Sequence, residues 1–73
     1  MKVEFIDVGM NKKSWSAEIS DLFHEELFKE VKKNGDIMSQ NIDFTYDNET
    51  NSGQVIVGGF RIVGTFKVLD IVH

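Results

Sequence analysis

The chain has no cysteine, so neither a disulfide nor a thiolate metal site can support its fold. Nowhere do about 18 apolar residues follow one another, the length a membrane-spanning helix needs. The opening stretch from Met1 to Gly9 is interrupted by charge throughout, and so holds no h-region of a signal peptide. Basic residues are scarce: 8 Lys and Arg stand against 12 Asp and Glu, a net charge of −4. That sign is opposite to the one a general nucleic-acid binder carries. The expectation is a soluble, cytoplasmic protein without membrane contact, for which nucleic acid is a disfavoured partner.

Chemical motifs are missing as well. His24-Glu25-Glu26-Leu27-Phe28 begins like a zinc-protease helix but puts Phe28 where the second histidine must stand, so no metal is expected. His24 reads instead as a half-buried residue at the edge of an apolar arc, and His73 lies at the end of the chain. Gly59 and Gly64 have the spacing of a phosphate loop, yet Thr65-Phe66 follows rather than Lys-Ser/Thr. A strand continues from there, and its amides are engaged in a sheet. No two carboxylates sit in an apolar run that would raise a pKa, and no elbow motif singles out a serine. Asn48-Glu49-Thr50 reads as a turn. The expectation is therefore no catalytic residue, no cofactor and no small-molecule substrate.

What is present is one domain's worth of chain, residues 1–73. A chain this short hides only about 60% of its unfolded surface, so its stability margin is thin. The segment from Ser20 to Gly35 alone has apolar residues at helical spacing. With residues 100° apart, Phe23, His24, Leu27, Phe28 and Val31 share one arc, charged residues fill the other, and Leu22 falls on the wrong side. Ser20 is the expected N-cap, and Asn34-Gly35 the expected left-handed stop. Glu25 with Lys29 and Glu30 with Lys33 are spaced as in-helix ion pairs.

The flanks read as strands. Lys2 to Val8 puts Val3 and Phe5 on one face and Ile6 and Val8 on the other. Trp15, Ala17 and Ile19 alternate with polar residues, placing a strand at 14–19. Ile37 to Tyr46, Gln54 to Val57 and Phe60 to Ile71 complete the set. The turn cluster Asp47 to Gly53 and a two-residue Gly58-Gly59 turn join the last three. The order ββαβββ predicts an α+β fold, a single helix on one face of a mostly antiparallel five-stranded sheet. A β-grasp arrangement shares this order and would make the first and last strands parallel neighbours.

One helix covers one face only. In the last strand Phe60, Ile62, Phe66 and Val68 form one apolar row, and Val63, Leu69 and Ile71 form another that points the opposite way. Ile6, Val8 and Ile56 add to the second. Each hidden aliphatic side chain is worth roughly 1.5–3 kcal/mol, so this surplus predicts a sheet that curls on itself or a face that another chain covers. The partner-binding candidates are thus Ile56, Val63, Leu69 and Ile71. No Lys or Arg lies between Asn34 and Phe60, which makes Asp43, Asp47 and Glu49 an acidic hairpin suited to steering a basic partner. The functional expectation is a non-enzymatic protein-interaction module, of adaptor or inhibitor type, binding a protein or itself. Two alternatives accompany it: a single-strand nucleic-acid binder using Lys12, Lys13, Trp15, Arg61 and Lys67, and a purely structural homo-oligomer.

Overall fold

In a computed structural model, which describes residues 1–35 and 37–69, the chain forms the expected α+β architecture. The elements are β1 (Lys2–Val8), β2 (Lys13–Glu18), α1 (His24–Asn34), β3 (Ile42–Phe44), β4 (Ser52–Val57) and β5 (Arg61–Val68). The strands form one sheet of order β2-β1-β5-β4-β3. Every neighbouring pair is antiparallel. Because β1 and β5 run in opposite directions, the β-grasp alternative is excluded.

The helix crosses one face of the sheet. Its start lies against β3, where the Nε2–H of His24 donates to the Ile42 carbonyl at 2.7 Å. Its end lies over Val8 and Trp15, so close that a side chain at Gly35 would come within 3.0 Å of Val8 Cγ1. Val3, Phe5, Val8, Ile19, Leu27, Val31, Ile42, Val55, Phe66 and Val68 form the buried core. Rings run across the strands on this side. Trp15 stacks on Phe5 at 4.7 Å, and Phe66 lies 6.2 Å from both Phe5 and Phe44. His24 closes the run edge-on to Phe44 at 5.4 Å.

Several boundaries differ from those expected. The helix begins at His24, with Phe23 extended at its N-cap and no side-chain cap. Ser20 is not the cap, because Ile19 is held to the sheet by its N–H on the Met1 carbonyl. Asp21 then bends the chain by accepting the Leu22 N–H. Outside the helix, Leu22 turns inward against the core while Phe23 is exposed. Gly35 is not left-handed, at φ −90°; it is small because Val31, Val8 and Trp15 crowd it. Glu30 receives the N–H groups of Trp15 and Asn34 in place of the expected Lys33. β3 is only Ile42–Phe44, since the Lys32 ammonium captures the carbonyls of Ile37, Met38 and Ser39. The β4–β5 turn takes Gly58 and Gly59 at positive φ as expected, but it also includes Phe60, because Val57 opposes Arg61.

The largest difference concerns which residues face which way. In β1 the register shifts between Phe5 and Val8, with Asp7 at φ 51°. In β5, Ile62 and Gly64 oppose the consecutive residues Ile56 and Val55, which leaves Val63 as an extra residue. A bulge of this kind switches the facing of the residues beyond it. Val8, expected on the open face, is fully buried. Val63 is half-buried and packs against the core. Ile62 and Phe60, expected in one row with Phe66 and Val68, are 56% and 87% exposed. The two irregular stretches meet, the Gly9 N–H donating to the Val63 carbonyl at 2.9 Å.

Candidate functional site

The open face of the sheet is built from the residues that alternate with the core positions. On β1, β2 and β5 opposite charges stand across from each other: Lys2 faces Glu18, and Glu4 faces Lys67. Such pairs are solvated and each contributes a few tenths of a kcal/mol to about 1 kcal/mol. Toward β3 the face changes character. Asp43 lies opposite Ile56, and Ile56 opposite Ile62, so one row carries an exposed carboxylate, a half-buried isoleucine and an exposed one. Ile6, half-buried, alternates with Phe5 and shares this face.

Of the apolar residues expected here, Ile56 is present and Val63 has moved toward the core. Leu69 is 46% exposed just past the end of β5, and Ile71 lies outside the described residues. The surplus apolar face is therefore smaller than the strand alternation implies, and the two bulges are the reason.

The acidic hairpin divides into two roles. Asp47 builds its own turn: its Oδ1 accepts the Glu49 N–H at 2.8 Å, its carbonyl accepts the Asn51 N–H, and its N–H donates to Ser52. Glu49 is exposed at the tip of that turn. Asp43 is exposed on β3, with Oδ1 3.8 Å from His24 Nε2. Asp43 and Glu49 are thus exposed, Asp43 beside His24, while the Asp47 carboxylate is engaged in its own turn.

The basic strip is not brought together as one surface. Trp15 lies under the helix, stacked on Phe5 and donating to Glu30 at 3.3 Å. Lys67 stands opposite Glu4 in mid-sheet. Lys12 and Arg61 both line one open depression with Met10, Met38 and Ile62, and Lys13 is exposed at the start of β2.

Two methionines fall outside the candidate residues expected from the sequence. Met10 and Met38 are 89% and 92% exposed; a large apolar residue inside a polar turn segment is the signal that would have found them. Among the described residues no group of three or more His, Asp or Glu is placed to hold a metal ion. No family model matches the chain, and neither curated proteins nor solved structures yield a similar one.

Proposed function

We propose that this chain is a non-enzymatic protein-interaction module, of adaptor or inhibitor type, that meets its partner through the open sheet face and the acidic hairpin beside it. The observation that supports this reading is the row Asp43, Ile56, Ile62, which crosses three adjacent strands on the side without a helix. A patch of this kind, apolar in the middle with a carboxylate at its rim, suits a partner that offers an apolar side chain and a cation. Asp43 and Glu49 would speed and orient the encounter. Ile56 and Ile62 would supply the contact that holds.

The test is a photo-crosslinking residue at position 62, compared with one at Ser16 on the charged part of the same face. In native extract the first is expected to give a discrete adduct and the second none. With the adduct partner purified, Asp43→Lys together with Glu49→Lys should slow association roughly tenfold at low salt. Equal adducts from both positions, or association rates that ignore the charge reversal, would overturn the reading.

A further inference from the structure

We infer that the loop end of the sheet docks on an anionic lipid surface. Three segments converge there: the β1–β2 turn, the stretch before β3, and the β4–β5 turn. They are tied by the Gly9 N–H to the Val63 carbonyl at 2.9 Å and the Gly58 N–H to the Asn41 carbonyl at 3.0 Å. Each segment presents one large apolar side chain to water: Met10 at 89%, Met38 at 92% and Phe60 at 87% exposure. Lys12, Lys13 and Arg61 are exposed beside them.

Exposed apolar clusters rimmed by charge mark places where a molecule meets something, and the shape here discriminates between partners. The three side chains protrude singly from separate loops. A folded protein would need three pockets at matching distances to receive them. Acyl chains close around any protruding side chain, and anionic headgroups accept the cations. Two copies meeting tip to tip would instead bring Lys12, Lys13 and Arg61 of each together, like charges at close quarters.

The chain's charge is also arranged for this orientation. Among the described residues, Asp47 and Glu49 sit in the turn at the other end of the sheet, where the Asn51 carbonyl accepts the Val68 N–H, and Asp7 is an exposed carboxylate flanking the basic end. A net acidic protein can still present its basic end to a negative surface, because the local field and not the total steers approach. No helix among the described residues is long and apolar enough to cross a membrane, so the contact is interfacial. It uses none of Asp43, Glu49, Ile56 and Ile62, on which the protein-partner reading rests, although Ile62 lines the same depression as Met10 and Met38.

The test is co-sedimentation of the whole chain with vesicles of phosphatidylcholine alone and of phosphatidylcholine mixed with phosphatidylserine, at low and high salt. Binding to the mixed vesicles only, weakened by salt, is expected. Met38→Ser with Phe60→Ser should lower the partition coefficient at least about tenfold. Lys12→Gln with Arg61→Gln should lower it roughly 25-fold, at about fivefold per cation near an anionic surface. All four replaced side chains are exposed or line the open depression, so far-UV circular dichroism and melting should stay as in the parent chain. Four results would overturn the inference. One is a parent chain that stays in the supernatant with the mixed vesicles. Another is binding that ignores the Met38/Phe60 variant. The third is a sedimentation mass above one chain that this variant reduces, which would make the tip a contact between copies. Competition by a short single-stranded oligonucleotide that binds more tightly than the vesicles would assign the tip to nucleic acid instead.

Discussion

Gly53 is the most crowded glycine in the sheet. A Cβ at this position would run into the Thr45 carbonyl oxygen and lie 2.5 Å from Phe66 Cζ. Neither neighbour can retreat: one is backbone, and the other is a fully buried ring with Phe5, Phe44 and Tyr46 around it. Gly53→Ala should therefore cost at least the upper part of the roughly 1–3 kcal/mol typical of overpacking, read as a lower urea midpoint. Gly59→Ala is the contrast. Nothing lies within 4 Å of that site, but φ is +82°, so only the left-handed strain of about 1–2 kcal/mol applies. In the sequence these glycines look alike. Gly58-Gly59 is legible as a turn because its role is local, two positive φ values between strands. Gly53 and Gly64 are not, since each is small to admit a side chain from a neighbouring strand, Phe66 for one and Val8 for the other.

Among the elements, the stretch 37–41 shows how one side chain decides whether a strand forms. The strand expected from Ile37 alternates cleanly only from Asn41 onward, and before that point the Lys32 ammonium takes three successive carbonyls, Ile37 at 3.0 Å, Met38 at 3.4 Å and Ser39 at 3.3 Å. A carbonyl bound to an ammonium is not offered to a neighbouring strand. Charge-assisted bonds of this type contribute about 1.5–3 kcal/mol when desolvated and less at a partly exposed site. Lys32→Met, which keeps the stem but removes the charge, should leave the helix in place and loosen 37–41. Faster amide exchange at residues 37–41, with melting lowered by roughly 1 kcal/mol equivalent, is the expected result. Unchanged exchange would mean that the ammonium does not hold the segment. The helix start was more legible than the N-cap reading implies. Leu22 falls off the apolar arc, and a residue on the wrong side of a helix is a reason to end the helix before it. The bulges at Asp7 and Val63 left no such trace. Each serves a contact between β1 and β5, far apart in the sequence, and period-two alternation cannot show where an extra residue interrupts it.

At the level of the whole molecule, the element order and antiparallel sheet were legible because strands joined by short turns have few other ways to pair. The facing of the residues was not, and the candidate surfaces moved with it. Two bulges draw Val8 and Val63 inward, and of the exposed apolar residues Met10, Met38 and Phe60 lie at the loop end and Ile62 in the row with Asp43 and Ile56. What holds the two sides of this small core together is the run of rings across the strands. Phe66 is its junction, 6.2 Å from Phe5 and from Phe44 and stacked 6.3 Å from Tyr46. Removing a buried phenylalanine costs about 3–5 kcal/mol. A domain of this size has roughly 4–11 kcal/mol in all, at about 0.05–0.15 kcal/mol per residue. The first figure is a large share of the second, so Phe66→Ala should keep only a small remainder of its stability, read as a strongly lowered urea midpoint. Phe66→Leu keeps most of the volume and should fold with a melting point lowered by several degrees, since each 1 kcal/mol shifts a domain of this size by about 4–8 °C. Both variants should unfold in one transition, by Trp15 fluorescence and by far-UV circular dichroism alike, because Trp15 reaches Phe66 through Phe5. Separate transitions for the two signals would show that the β1–β2 side and the β3–β4 side fold as independent units, and that the rings do not unite them.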